Sequence, residues 1–300
     1  MSNVLSLIAG SQKPPLQTKH ISAACKLLET LGAELDTGQW LNDKLAWQIE
    51  FDRTPEGALQ ALRKKAANWQ IDVNIVRAAN QRKKLLVADM DSTMIAQECI
   101  DELADAAGTG DQVKAITKRA MNGELEFEEA LRERVATLKD LPSGVIGDVI
   151  SSRITFMPGG RELIATMRQT GAYCALISGG FKHFTAYVGA ELGFHEHQAN
   201  ELVIKDNVLT GKVTDPILGR DAKVAALQRI SKDFGFSMDQ TIAVGDGAND
   251  IPMLHTAGMG VAIHAKPAVK QQVDIQIEHG DLTALLYLQG FGRDEFARHH

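Results

Sequence analysis

The sequence predicts an α/β protein: a doubly wound, Rossmann-like parallel sheet with a helical cap insertion, preceded by a small α+β unit. Three observations predict it. Short apolar runs at 85–88, 172–177 and 241–244 each stop at a polar cluster, as strands buried on both faces do. Amphipathic stretches ended by glycines separate those runs, an alternation that implies parallel strands joined by helices. The first 80 residues follow a shorter rhythm of helices and half-buried strands.

The elements follow in order. Residues 21–31 place Ile21, Ala24, Leu27, Leu28 and Leu31 at helical spacing, and Gly32 suits the end of that helix. Residues 45–51 alternate as a strand. Thr54-Pro55-Glu56-Gly57 opens a helix over 58–69, and 71–76 alternates as a second strand. The polar stretch 78–84 reads as a linker. Residues 85–88 then form a strand, 93–107 a helix ended by Gly108, and 111–150 a charged, mostly helical stretch. That stretch interrupts the strand–helix alternation, so it inserts as a cap at about 108–152. Pro158 and Gly171 bracket another helix. Residues 202–213 form a hairpin turning at Asp206-Asn207. An amphipathic helix over 220–234 ends at Gly235, and 260–263 and 275–277 are short strands. The boundaries are therefore 1–80 for the small α+β unit and 84–300 for the larger one, as a length of 300 suggests.

Composition narrows the function. A net charge of −6 disfavours non-specific binding to nucleic acid or an anionic membrane. No apolar run approaches the roughly 20 residues that span a bilayer. The apolar stretch within 1–10 lacks a basic segment and makes a poor signal peptide. Cys25, Cys99 and Cys174 are scattered without a C-x-x-C, which fits a reducing cytoplasm and neither a disulfide framework nor a zinc site.

Three strand ends carry the chemistry: Asp89 and Asp91, then Ser178 with Gly179 and Gly180, then Asp246, Asn249 and Asp250. In a parallel sheet these ends lie on one edge, where ligands bind. A lone Asp-x-Asp is ordinarily a turn or a cap. Here it ends an apolar strand, and a second acid-rich loop ends another. Acids, a hydroxyl, exposed N–H groups and a lysine together make an anion site with a metal in it. Asp89 suits a nucleophile that forms an aspartyl-phosphate, and Asp91 a general acid and then base. Mg²⁺ prefers oxygen donors; Asp89 and Asp246 would supply side chains and Asp91 its carbonyl. Ser178, the neighbouring N–H groups and Lys223 would hold phosphoryl oxygens. Lys223 alone is ambiguous, since most lysines on such helices reach for solvent.

These signatures, in this order, resemble the haloacid dehalogenase superfamily of phosphatases over roughly 84–290, and within it the phosphoserine phosphatases. Serine at 92, where many relatives have glycine, points to that branch. The resemblance implies hydrolysis of O-phospho-L-serine, the last step of serine biosynthesis, with Mg²⁺ as cofactor. It also implies that Glu98 contacts the substrate ammonium and Arg134 its carboxylate. A glutamate and an arginine fork would suit a zwitterion. It implies contact of Asn249 with phosphate or with Lys223, and a supporting role for Asp250 toward the lysine or a metal-bound water. Met121 and Phe127 form an apolar wall over the serine methylene or simply pack the core. Residues 1–80 look like an incomplete ACT-type amino-acid-sensing domain, supplying a poor first half of its βαββαβ order. A packing module, or dimerisation into a homodimer, is the alternative. Two other functions stay open: phosphotransfer to an alcohol such as homoserine on the same fold, and a non-enzymatic amino-acid sensor.

Overall fold

The computed structural model describes residues 2–121 and 124–297. The small unit comprises β1 (Asn3–Ala9), α1 (Thr18–Thr30), β2 (Gln39–Asn42), β3 (Ala46–Phe51), α2 (Ala58–Ala66) and β4 (Ile71–Arg77). Its four strands form one antiparallel sheet in the order β2-β3-β1-β4. The βαββαβ order is therefore complete, which corrects the expectation of a poor first half. The sequence reading missed β1 and β2 for physical reasons. Six of the seven residues of β1 are buried, so it shows no alternation. Leu5 and Leu7 pack with Ala24, Leu28 and Leu62 of the helices, whereas Val4 and Ile8 join the core of the larger unit. Both faces of the sheet are thus covered. β2 is a four-residue edge strand with little burial to mark it.

The larger unit opens with β5 (Leu85–Ala88), followed by four helices, α3 (Cys99–Ala106), α4 (Gly110–Met121), α5 (Phe127–Ala136) and α6 (Gly144–Arg153). Next come α7 (Gly160–Gln169), β6 (Tyr173–Phe181), α8 (Lys182–Leu192), β7 (Glu196–Asn200), β8 (Leu202–Lys205) and β9 (Val208–Val213). The chain continues through α9 (Arg220–Phe234), β10 (Thr241–Gly245), α10 (Ile251–Thr256), β11 (Met259–Ile263), α11 (Pro267–Lys270), β12 (Ile275–Ile277) and α12 (Ala284–Leu288). The six-stranded sheet runs β12-β11-β10-β5-β6-β7, and every pairing is parallel. Strand order runs outward in both directions from β5. The topological switch point therefore lies between β5 and β10, where such sheets bind ligands at their carboxyl ends.

Two details position the site. The helix expected over 93–107 begins only at Cys99. The chain leaves β5 through tight turns, with the N–H groups of Thr93, Met94 and Ile95 all donating to Met90 O, and Ser92 in the left-handed region at φ 54°. Ile95 then bridges to Phe156, a tertiary pairing that periodicity cannot reveal. The β8–β9 hairpin turns at Asp206 and Asn207, both with positive φ (50° and 61°), as a two-residue type I′ turn requires. Its strand β9 fastens the connection between α5 and α6: Asp140 N–H donates to Leu209 O at 2.9 Å, and Pro142 bridges to Val208.

The small unit docks on the edge of the large sheet. The Asn74 side chain exchanges two 2.9 Å hydrogen bonds with the backbone of Gln276, covering the edge strand β12. Asp72 accepts from the N–H groups of Glu278, His279 and Gly280 at 2.7, 3.1 and 2.8 Å. The connection at 78–84 is tied down too: buried Lys83 donates to Asp239 O at 2.6 Å, and its N–H donates to Gln289 Oε1.

Candidate active site

Four elements deliver the polar groups. β5 is buried at all four positions and carries Asp89 to its end, with Asp91 two residues beyond. β10, buried throughout, delivers Asp246 and Asp250. β6 delivers Ser178, and the first turn of α9 delivers Lys223. Lys223 is 1% exposed and sits between two carboxylates, its Nζ 2.6 Å from Asp89 Oδ1 and 2.5 Å from Asp250 Oδ1. The other oxygen of Asp250 accepts Gly247 N–H at 3.0 Å. A Cβ on Gly245 would lie 2.4 Å from Asp250 Cγ, so only glycine lets Asp250 fold back here. A Cβ on Gly180 would lie 3.1 Å from both Asp91 Oδ2 and Ser178 Oγ, so these two groups flank one glycine. Ser178 Oγ accepts Gly180 N–H at 2.8 Å, which leaves its proton to donate.

The acids are far from their ordinary behaviour. Burial first, and then the charge of Asp250, pushes Asp89 well above the usual carboxylate range, while Lys223 pulls it back. Burial, and then Glu98, lifts Asp91 to about 7. Asp246 is raised to about 6 by burial, against the pull of Lys266. Burial alone would lower Lys223, but Asp250 and Asp89 more than offset it and keep it firmly charged.

Oxygens of Asp89, Asp246 and Asp250 lie within 4.8 Å of one another. Three buried carboxylates against one buried lysine leave surplus negative charge, and all the donors are hard oxygens. That set fits a hard divalent cation.

Apart from Met121, each site residue named from the sequence has a place. Asp89, Asp91, Ser178, Lys223, Asp246 and Asp250 converge at the switch point. Glu98 reaches it from the loop after β5: its Oε1 accepts Ser92 Oγ–H at 2.8 Å and faces Lys266 Nζ at 3.9 Å. Arg134 approaches from α5, half-buried, its Nε donating to Ala130 O at 3.2 Å. Burial lowers its pKa, and the carboxylates of Asp101, Glu98 and Asp91 oppose that shift. Phe127 lies over Gly179, where a Cβ would meet its ring at 3.1 Å. Lys223 is engaged by Asp89 and Asp250; Asn249 instead lies across Gly247. The side chain of Met121 lies outside the described residues.

Several neighbours escaped the sequence reading. Lys266, just past the end of β11, stands 3.6 Å from Asp246 Oδ2; a fourth strand end with a polar residue was the available signal. Thr93 donates to Asp246 Oδ1 at 3.2 Å. Cys99 holds both oxygens of Asp91, by its thiol at 3.0 Å and its N–H at 3.4 Å. Buried Asn200 binds Gly179 O and both backbone groups of Leu218, joining β6 to the approach of α9. No spacing rule marks Cys99 or Asn200, whereas Thr93 belongs to the Asp89–Thr93 run itself.

The arrangement provides a nucleophilic carboxylate beside a fixed cation, an adjacent acid that can carry a proton near neutrality, and donors for an anion. The haloacid dehalogenase-like hydrolase family profile matches residues 86–255. Phosphoserine phosphatase SerB2 of Mycobacterium tuberculosis is 41% identical over 288 residues, covering 94% of this chain and 70% of that one. The structure of the HAD family hydrolase t0658 from Salmonella enterica serovar Typhi superposes with a TM-score of 0.82 at 31% identity, covering 98% of this chain and all of that one. A phosphoserine phosphatase solved as a phospho-aspartyl intermediate analogue superposes with a TM-score of 0.64 at 44% identity, covering 68% of this chain and 98% of that one. On the profile match and these identities, the chain belongs to the haloacid dehalogenase-like hydrolase family.

Proposed function

We propose that this protein hydrolyses O-phospho-L-serine to L-serine and phosphate through an aspartyl-phosphate on Asp89, completing serine biosynthesis. One observation carries the reading: opposite charges, Glu98 and Arg134, both act on Asp91, beside the Asp89–Lys223 pair. A phosphate ester attached to a zwitterion matches that layout. Phosphoserine phosphatase relatives on both the sequence and the structural side support it. No observation favours transfer to a second alcohol over transfer to water.

In this reading Asp89 attacks phosphorus while Asp91 protonates the departing serine oxygen. Asp91, now a carboxylate, takes a proton from the water that attacks the aspartyl-phosphate. Such a group contributes about 10²- to 10⁴-fold. Lys223 opposes protonation of Asp89 and, with Ser178 and the N–H of Gly179, holds phosphoryl oxygens; Asn249 would contact the phosphate. Glu98 pairs with the substrate ammonium and Arg134 with its carboxylate. Asp89 and Asp246 by side chains, and Asp91 by its carbonyl, would hold Mg²⁺, with Asp250 supporting from behind. When bound, the metal would neutralise charge on the phosphoryl oxygens.

No helix among the described residues is long and apolar enough to cross a membrane, and the three cysteines are free. Both features agree with a cytoplasmic enzyme. The βαββαβ unit is read as an ACT-like regulatory or dimerisation module. The test is a phosphate-release screen over phosphoserine, phosphothreonine and simple phosphomonoesters with Mg²⁺. A clear preference for phosphoserine is expected; equal turnover of all esters would overturn the substrate assignment.

A further inference from the structure

Ser92 stands in a conformation that suits glycine better. Its φ of 54° lies in the left-handed region, where a side chain is strained and glycine is not. The hydroxyl this serine brings is used: it donates to Glu98 Oε1 at 2.8 Å across a loop whose neck is closed by Ser92 N–H to Gln97 O at 3.2 Å. The left-handed turn directly after Asp91 is what aims that hydroxyl at Glu98. Lys266 Nζ faces the same oxygen from 3.9 Å, and more than half of its side chain is exposed. Without the serine hydroxyl, Glu98 is free to close on Lys266, and an incoming ammonium must then displace that ion pair.

We infer that Ser92 is a positioning residue for substrate specificity: it accepts backbone strain in order to fix Glu98 in the orientation that receives the substrate ammonium. The inference rests on the proposed role of Glu98. It sets the local conformational preference of residue 92 against its use in the site, as strained positions near active sites commonly do.

The test uses the full chain with Ser92→Gly, Ser92→Ala, Glu98→Gln and the Ser92→Gly/Glu98→Gln double variant. Readouts are kcat/KM for phosphoserine, kcat/KM for p-nitrophenyl phosphate, which has no ammonium, and Tm. Losing one hydrogen bond to a charged group predicts about a tenfold fall in kcat/KM for phosphoserine in Ser92→Gly, through KM. The nitrophenyl ester should stay within about twofold. Tm should hold or rise by about 1–3 °C, because glycine relieves the strain. Ser92→Ala, which keeps the strain, should show the same selective loss with a lower Tm than Ser92→Gly. A merely structural serine would not separate stability from selectivity in this way. The double variant should be no worse than Glu98→Gln alone. If Glu98→Gln lowers the phosphoserine preference and Ser92→Gly does not, the inference falls while the reading of Glu98 stands. If Glu98→Gln leaves the preference unchanged, the reading of Glu98 falls and takes the inference with it.

Discussion

Lys223→Met is the sharpest perturbation the structure offers. Methionine keeps much of the length of the stem and removes the charge. The lysine is 1% exposed, with carboxylate oxygens at 2.6 and 2.5 Å. Its loss leaves Asp89 and Asp250 buried side by side without a cation between them. Removing one partner of a buried ion pair costs about 3–5 kcal/mol. The pH dependence follows from the direction of the Asp89 shift. Burial and Asp250 hold its folded pKa above the unfolded value, and Lys223 is the group that opposes them. Removing Lys223 raises that folded pKa further. The folded state then binds protons that the unfolded chain releases, so stability is lost as pH rises from the ordinary carboxylate value through the raised one. Each pH unit in that window is worth about 1.4 kcal/mol per carboxylate. Wild type shares the raised Asp89, so the difference between the two proteins opens above the wild-type value. Urea denaturation of the metal-free variant should show a destabilisation of about 3–5 kcal/mol at the high end of the pH range, shrinking as pH falls. Turnover should fall by at least about 10³-fold, because Asp89 is protonated where it must be a nucleophile. An unchanged urea midpoint, or a loss that does not vary with pH, would refute the electrostatic argument.

Other consequences can be checked separately. Arg134→Ala should cut kcat/KM for phosphoserine by about 10²-fold, the cost of a lost charge-assisted pair, and leave p-nitrophenyl phosphate within a few-fold; steady-state kinetics on the two esters decides. Asp91, lifted to about 7, must enter the first step protonated, so kcat/KM for phosphoserine should fall as pH rises through that value. A nitrophenyl ester, whose leaving group needs no proton, should lack that limb of the pH–rate profile. Gly245→Ala puts a Cβ 2.4 Å from Asp250 Cγ and should cost about 1–3 kcal/mol in thermal unfolding, with most activity lost.

Much of this was legible in the sequence, for reasons that can be named. β5, β10 and α9 stand out because a buried strand reads as an unbroken apolar run, and because Gly235 closes α9 at φ 68°. Asp89 and Asp246 could be placed together because parallel strands put all their carboxyl ends on one edge of the sheet. β1 was hidden by the same burial that made β5 visible: near the N-terminus an apolar run invites other readings, and its partners β3 and β4 come much later in the chain. The late start of α3 depends on the left-handed Ser92 and on the Ile95–Phe156 bridge, neither of which has a periodic signature. Lys223 sits on a helix face like any solvated lysine. Only the fold shows that this face meets Asp89 and Asp250. Lys266 carried only the weak signal of a polar residue after a fourth strand, and Cys99 and Asn200 act through contacts made by folding, so no local pattern announces them.

The central claim is that Asp89 becomes phosphorylated. Rapid-quench trapping with phosphoserine, followed by borohydride reduction and mass spectrometry of the peptide containing residues 89–93, tests it most directly. The account predicts a reduced acyl-phosphate product at Asp89, formed at a rate no slower than turnover and absent in Asp89→Asn. Turnover without modification of Asp89, or with the phosphoryl group on Ser178, would contradict it.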